Sequence, residues 1–143
     1  MSYVVQLMHI VVCTKERKMV LNQDSKTELF KYIWGIITNY NCRLYRINGI
    51  GNHIHMLIGI HQSVSLMDLM REIKRSSSVW LKDSGKSPNF NGWSREYAAF
   101  SVSWTKKDKV IEYIKNQEVH HKQVSFDDEF KGLLEIHGVT EYK

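Results

Sequence analysis

The distribution of apolar residues along the chain predicts four β-strands. Residues 3–13 are mostly apolar and rich in β-branched side chains, which is typical of a strand in the middle of a sheet. Residues 42–50 and 53–60 form two further apolar segments, and residues 49–52 predict a tight turn between them. Residues 97–103 provide the fourth strand.

Helix-start signals precede four other segments. In each, a serine or threonine is followed three positions later by an acidic residue, so the hydroxyl can cap a free backbone N–H and the carboxylate favours the helix N-terminus. Apolar residues at helical spacing follow each signal and predict helices over residues 25–39, 65–82, 106–122 and 126–137. The pairs are Ser25 with Glu28, Ser65 with Asp68, Thr105 with Asp108, and Ser125 with Asp128.

The resulting order of elements is β-α-β-β-α-β followed by two helices. This order predicts an α+β fold of the ferredoxin-like (RRM-like) type, a sandwich of one four-stranded antiparallel sheet with two helices on one face. With 143 residues, the chain fits a single domain, in which residues 1–104 form the sheet core and residues 105–143 add the C-terminal helices. The third strand is expected to lie centrally in the sheet.

Composition narrows the class of protein. The 43% hydrophobic content is enough for an ordinary core, and the net charge of +5 favours a polyanionic partner, nucleic acid first. The two cysteines have no CxxC spacing, so a reduced, cytoplasmic compartment is expected. No apolar stretch approaches the ~18 residues of a membrane span, so no membrane partner is expected.

Two histidines in the third predicted strand are candidate metal ligands. His53 and His55 flank Ile54, and alternate side chains of a strand share a face, so both imidazoles are expected on one side with Cβ atoms about 6–7 Å apart. Two imidazoles at that separation can share a metal ion. Two polar residues on an exposed sheet face are the alternative.

The third predicted helix carries Tyr113 and Gln117, which lie four residues apart and so on one helix face. A tyrosine hydroxyl is a poor nucleophile near pH 7, but a metal and nearby cations can make it useful. A glutamine amide oxygen is a hard ligand suited to Mg²⁺ or Mn²⁺. The alternatives are a packing tyrosine and a glutamine that makes a helix-surface hydrogen bond.

The triplet His53-Ile54-His55, followed by Tyr113-Ile114-Lys115-Asn116-Gln117, resembles the HUH single-tyrosine transposases of small bacterial insertion sequences, the insertion-sequence 200/605 type. The resemblance extends to the length, the order of elements and the segment Arg71-Glu72-Ile73-Lys74. It also includes Asn116-Gln117-Glu118-Val119-His120-His121 and the aromatic residues of segment 93–103.

The resemblance implies a function. Tyr113 would attack a phosphodiester in single-stranded DNA, which would give a 5′-phosphotyrosine link and a free 3′-OH that can later rejoin the strand. His53, His55 and Gln117 would hold a divalent metal, Mg²⁺ or Mn²⁺. Such proteins act as homodimers, in which the tyrosine helix can complete the histidine pair of the other subunit. Their partners are DNA hairpins near the ends of the element.

Several basic and aromatic residues are candidates for DNA contacts. Arg71, Lys74 and Arg75 share one face of the second predicted helix, and Lys106, Lys107 and Lys109 begin the third. Phe90, Trp93 and Trp104 are candidates either for base stacking or for core packing. His120 and His121 are candidates for DNA contact, proton transfer or replacement of Gln117, or they are cations that suit a helix C-terminus.

Three other functions remain open from the sequence. A domesticated relative would nick hairpins without mobilising its own gene and would use the same residues. A non-catalytic single-strand binding module would carry exposed aromatic residues on its central strands, where this chain has His53 and His55. A metal-dependent hydrolase without a covalent step would have no use for Tyr113.

Overall fold

Four antiparallel strands form the sheet at the centre of the protein, in a computed structural model that describes residues 2–139. The order across the sheet is β2-β3-β1-β4, so β3 lies centrally, as predicted. The strands are β1 (Leu7–Thr14), β2 (Arg43–Ile50), β3 (His53–Gly59) and β4 (Trp93–Val102).

Five α-helices complete the described part of the chain. Because α1 follows β1 and α2 follows β3, the predicted α+β ferredoxin-like order is confirmed. None of these helices combines the length and the apolar character that crossing a membrane requires. The helices are α1 (Lys26–Asn39), α2 (Leu66–Ser84), α3 (Lys107–Lys115), α4 (Gln117–His120) and α5 (Phe126–Ile136).

Helices cover both faces of the sheet. On one face, Ile54, Met56 and Ile58 of β3 join the main apolar core beneath α1 and α2. On the opposite face, Leu57 of β3 packs against Ile114 of α3, and α5 packs against β1 and β4. The odd-numbered side chains of β3 therefore face the C-terminal helices, which form a second layer that the two-helix sandwich does not include.

The predicted helix caps hold at two of four positions. Ser65 and Ser125 each accept a hydrogen bond from the backbone N–H three residues later, at 3.0 and 3.2 Å. Ser25 precedes α1 without capping it through its side chain. Thr105 lies in a short 3₁₀ turn before α3, whose N-cap position is taken by Lys106. The caps predicted at Ser25 and Thr105 are therefore wrong.

Two strand boundaries differ from the prediction. β1 begins at Leu7 rather than at residue 3, because its neighbour β3 ends at Gly59, opposite Leu7, and residues 3–5 have no strand to pair with. β4 begins at Trp93 rather than at residue 97, because its backbone rejoins β1 opposite Thr14 after a bulge. Each boundary is thus set by the partner strand.

The helix predicted over residues 106–122 is wrong as one continuous element, because it breaks at Asn116 into α3 and α4. Asn116 has φ −94° and ψ 18°, outside the helical region. The Asn48 side chain from β2 donates a 3.0 Å hydrogen bond to the carbonyl of Lys115, the last residue of α3. A side chain that takes a helical carbonyl in this way is a recognised cause of a kink.

Close packing at Gly49 fixes the strand pair that carries the histidines. Gly49 lies opposite Ile54 in the β2–β3 ladder, and a Cβ at this position would lie 2.1 Å from the carbonyl oxygen of His53. Backbone atoms of adjacent strands cannot yield to such a contact. A glycine is therefore required beside the histidine strand.

We predict that Gly49→Ala lowers the free energy of unfolding by about 2 kcal/mol or more, because overpacking against backbone displaces β3. Urea denaturation measures the effect. Gly35→Ala is the matched control, because nothing lies within 4 Å of the added Cβ. In α1 that change is expected to stabilise the protein by about 0.5–1 kcal/mol. Equal stability of the two variants would contradict the prediction.

Candidate metal centre and tyrosine site

The two histidines of β3 point into the layer formed by the C-terminal helices. His53 and His55 lie on the same face with ring centroids 5.0 Å apart, and both side chains are fully buried. Ile54 between them packs into the core on the opposite face. The predicted shared face is therefore found, whereas the alternative of an exposed sheet face is not.

The kinked segment and α5 bring further donor atoms to the histidine pair. The nitrogen and oxygen ligand atoms of His53, His55, His121 and Glu129 all lie within 4.8 Å of one another. The Gln117 side-chain oxygen lies 3.0 Å from the Nε2 atoms of both His53 and His121. The Glu129 Oε1 atom lies 3.1 Å from His55 Nε2 and 2.9 Å from His121 Nε2.

These separations fit a metal-binding site. With metal–ligand bonds of about 2.0–2.2 Å, neighbouring ligands of one ion lie about 3–3.5 Å apart. Three imidazoles, one amide oxygen and one carboxylate also form a chemically reasonable donor set for a divalent transition metal. The residues present therefore fit a metal ion in both spacing and chemistry.

The hydrogen bonds of His121 give a second reason to expect a cation. Its Nδ1 lies 2.7 Å from the carbonyl oxygen of Val124, which can only accept, so Nδ1 carries a hydrogen. In a neutral ring, Nε2 is then a bare lone pair. It faces the oxygens of Gln117 and Glu129, which also carry lone pairs. A proton or a metal ion is needed between them.

His9 supports His55 from β1. The two side chains share a 2.8 Å hydrogen bond between His9 Nε2 and His55 Nδ1, which leaves His55 Nε2 directed at Glu129. Burial and the neighbouring His55 lower the pKa of His9 to about 3, so His9 is neutral at pH 7. A hydrogen bond to the ring nitrogen that does not face the metal orients the imidazole of a metal ligand. No motif in the sequence marks His9 for this position.

Glu129 lies at the centre of the cluster and was missed from the sequence. Its side chain is only 1% exposed. Burial alone would raise the pKa of Glu129, but hydrogen bonding to His53, His55 and Tyr113 holds the pKa well below its usual range. The carboxylate is therefore charged and provides the negative charge that a cation site needs.

One sequence signal points to Glu129. In a helix that begins at Phe126, residue 129 falls on the same face as Phe126, Phe130 and Leu133, which pack on the sheet. An acidic residue on the apolar face of a helix requires a buried partner.

Tyr113 meets the cluster within the same chain. Its hydroxyl donates a hydrogen bond to Glu129 Oε2, and its ring lies edge-on to His55 with centroids 5.7 Å apart. Burial and the hydrogen bond to Glu129 raise the pKa of Tyr113 well above its usual value. Tyr113 is therefore a neutral donor in this arrangement. The structure brings Tyr113, Gln117, His53 and His55 together, as the sequence predicts.

His120 lies at the edge of the cluster. Its Nε2 is 3.5 Å from Glu129 Oε2, is buried, and makes no hydrogen bond within residues 2–139. Its ring lies 5.6 Å from that of Tyr113. Of the two neighbouring histidines, His121 is thus part of the donor set, and His120 lies beside the tyrosine.

The basic residues predicted on α2 lie away from this site. α2 packs on the opposite face of the sheet, where Arg71 pairs with Asp68 at 3.1 Å and Arg75 with Glu72 at 2.6 Å. Lys74 donates to the backbone carbonyl of Arg95. The structure does not bring the α2 group into the metal and tyrosine site.

The basic residues at the start of α3 share the helix of Tyr113. Lys106 and Lys109 are exposed there, whereas the Lys107 side chain is only 20% exposed.

α5 encloses the donor atoms. The Phe126 ring stacks on His53 with centroids 4.0 Å apart, and the Glu129 side chain fills the space between the imidazoles. Arg17, in the turn after β1, lies over Phe126 and Phe130 and pairs with Asp127. This layer keeps solvent from the site in the described conformation.

Comparisons with known proteins identify the family of the chain. The family model "Transposase IS200 like" matches residues 2–117, a segment that includes His53, His55, Tyr113 and Gln117 and ends before α5. No curated protein sequence matches the chain.

Solved structures share the fold. One is a candidate transposase from Deinococcus radiodurans R1, with 24% identity and a TM-score of 0.64 over 82% of this chain and 95% of that one. Another is a REP-associated tyrosine transposase bound to a REP hairpin, with 16% identity and a TM-score of 0.65 over 100% of this chain and 93% of that one. On the strength of the family match, the chain belongs to the IS200-like transposase family.

Proposed function

We propose that the protein cuts and rejoins single-stranded DNA through a covalent tyrosine intermediate, with a divalent metal at the histidine cluster. The observation that carries this proposal is the contact between the Tyr113 hydroxyl and Glu129, inside the donor set that includes His53 and His55. A nucleophile and a metal site thus meet in one buried cluster. Membership of a transposase family supports the same chemistry.

The reaction follows from the groups present. The Tyr113 oxygen attacks the phosphorus, the bond between phosphorus and the 3′ oxygen breaks, and the DNA 5′ end stays linked to the tyrosine. The departing oxygen takes up a proton and becomes a 3′-OH. Rejoining reverses these bonds. As the new bond forms, the Tyr113 hydroxyl loses its proton to water. In the described conformation that proton is directed at the Glu129 carboxylate, a contact that must be released before the phosphate can bind.

Five side chains would hold the metal. His53, His55 and Gln117 were predicted as ligands from the sequence, His121 was a candidate to replace Gln117, and Glu129 comes from the structure. Three imidazoles favour Mn²⁺ or another transition metal over Mg²⁺, which prefers oxygen ligands. When bound, the ion would polarise the phosphate and offset its charge.

Access to DNA requires α5 to move. The side chains of His53, His55 and Gln117 are fully buried, and five protein donors leave little room for a substrate oxygen. Displacement of Glu129 would free the place where a phosphate must bind. Because Glu129 is an anion in contact with the tyrosine hydroxyl, it occupies a position suited to the phosphate.

Hairpin DNA is the proposed partner. The related REP-associated transposase was solved with a REP hairpin, and a net charge of +5 suits a polyanion. The exposed lysines at the start of α3 and the basic residues on α2 are proposed DNA contacts. The homodimer and the cytoplasmic location that the sequence analysis gives remain predictions.

The competing functions fit the structure less well. A non-catalytic binding module needs exposed aromatic residues on its central strands, but β3 presents buried histidines instead. A hydrolase without a covalent step gives no role to Tyr113, which contacts the donor set. A domesticated hairpin nuclease uses the same residues and differs only in whether its own gene is moved.

We predict that the protein forms a covalent adduct with a labelled single-stranded hairpin in the presence of Mn²⁺. The adduct should appear on a denaturing gel, and Tyr113→Phe or EDTA should abolish it, because the phosphotyrosine bond needs both the hydroxyl and the metal. Tyr3→Phe is the control, since Tyr3 is 90% exposed and precedes β1. An adduct that survives Tyr113→Phe would rule out Tyr113 as the nucleophile.

We also predict that His53→Ala separates cleavage from binding. Cleavage should fall by at least about a hundredfold. Loss of a residue that only hydrogen-bonds to a metal ligand already lowers metal affinity or activity by about 10–100-fold, and His53 is proposed as a ligand itself. Hairpin affinity should change by less than about threefold, because phosphate and base contacts carry it. Single-turnover cleavage and a binding titration measure the two effects, with His61→Ala as the control. Equal losses in both would make His53 structural.

Metal affinity tests the place of His121 in the donor set. We predict that His121→Ala weakens Mn²⁺ binding by at least about tenfold. Removing a ligand should lower metal affinity at least as much as removing a residue that only hydrogen-bonds to a ligand. Isothermal titration of protein stripped with EDTA measures the affinity. His61→Ala is again the control, because His61 bonds to Ser63 outside the cluster. Unchanged affinity in His121→Ala would exclude His121 as a ligand.

A further inference from the structure

A cluster of two aromatic rings and two cations lies at the N-terminal end of α3, and we call it the Trp104 platform. It consists of Tyr45, Trp104, Arg43 and Lys107. The Trp104 ring lies edge-on to that of Tyr45 with centroids 6.4 Å apart, and Trp104 is 55% exposed. Lys107 Nζ lies 4.2 Å from the centre of the Trp104 ring and 5.4 Å from that of Tyr45.

The second cation lies over the other ring. The guanidinium carbon of Arg43 is 4.6 Å from the centre of the Tyr45 ring. Cations held over aromatic faces at these distances are fixed by electrostatic attraction to the rings. The platform thus presents positive charge and flat apolar surface side by side, which suits a partner with both phosphates and aromatic bases.

The backbone builds the platform at Tyr45. β2 pairs regularly with β3 at Leu44 and again at Arg46, and the register shifts between them, so Tyr45 is the extra residue of a β-bulge. Bulges re-aim a side chain and are common beside functional sites. The Tyr45 ring then lies across Gly59, where an added Cβ would come within 3.1 Å of it.

The platform and the tyrosine site share α3. Lys107 and Tyr113 are six residues apart on one helix, which corresponds to about 9 Å along its axis. Tyr45 and Tyr113 both pack against the small apolar group of Leu7, Leu57 and Ile114. Since phosphates in one strand of stacked DNA repeat about every 3.4 Å, 9 Å corresponds to about two or three nucleotides.

We propose that the Trp104 platform binds an unpaired base of single-stranded DNA, two or three nucleotides from the phosphate at Tyr113. The base stacks on Trp104, and Lys107 and Arg43 contact the flanking phosphates. This inference rests on the proposed function, because it assumes that the strand reaches Tyr113. Stacking on aromatic side chains beside a basic groove is how proteins hold single strands without reading their sequence.

The other aromatic candidates are less suited to this role. Phe90 is 6% exposed, and Trp93 donates a hydrogen bond to Ser77 and packs on the main core. Trp34 is as exposed as Trp104, but within residues 2–139 no cation lies over its ring. Asp108 lies 3.7 Å from Lys107 Nζ, and this contact is weak because the carboxylate is 92% exposed.

Binding to a short oligothymidine tests the proposal, with the full chain carrying Tyr113→Phe in EDTA so that no chemistry occurs. Trp104→Ala should weaken binding between about fivefold and a hundredfold, whereas Trp104→Phe should retain most of the affinity. The oligothymidine should also quench tryptophan fluorescence, and Trp104→Phe should remove most of that quenching. Trp34→Ala and a duplex of equal length are the controls, and both should show little change.

The outcomes separate this inference from the proposed function. Equal losses in Trp104→Ala and Trp34→Ala, or equal losses for duplex and single strand, would overturn the platform. Unchanged binding in Trp104→Ala, or no binding of the oligothymidine at all, would do so as well. Melting temperatures show whether each variant is folded. If Trp104→Ala does not fold, the loss of fluorescence quenching in Trp104→Phe still tests the platform. Failure of the covalent adduct would leave this binding result intact.

Discussion

A single buried carboxylate organises the C-terminal layer of the protein. Glu129 contacts His55, His121, Gln117 and Tyr113, and its side chain is almost completely removed from solvent. An ionised carboxylate at such a position is unfavourable unless cations or hydrogen-bond donors surround it. The contacts of Glu129 therefore fix where α5 lies on the sheet, which way the imidazoles point and where the tyrosine hydroxyl is held.

Much of the fold and half of the site follow from local sequence patterns. Alternation along β3 places His53 and His55 on one face and Ile54 in the core. This relation depends only on the geometry of one strand, and the order of the strands and helices follows equally from local patterns. They are therefore visible without any knowledge of how the elements pack.

The parts of the site that the sequence left open or missed depend on contacts between elements. His121 had several alternative roles from the sequence, and only its contacts with Gln117 and Glu129 show that it belongs to the donor set. Glu129 lies in an acidic first turn, which is ordinary at a helix N-terminus, although its place on the apolar face of α5 indicates a buried partner. No local pattern identifies that partner, because the imidazoles belong to other elements.

The donor set divides into a fixed and a displaceable half. His53 and His55 belong to a central strand that is hydrogen-bonded on both sides, so they can move little. Glu129 belongs to α5, which is held partly by Arg17 through an exposed ion pair with Asp127 and contacts with two rings. Exposed ion pairs contribute at most about 1 kcal/mol. The stronger hold on α5 is Glu129 itself, and a DNA phosphate carries the same negative charge that the imidazoles and the tyrosine hydroxyl contact in Glu129. In the proposed reaction, β3 therefore keeps the metal in place. The Glu129 carboxylate moves away with α5, and the DNA phosphate takes its position.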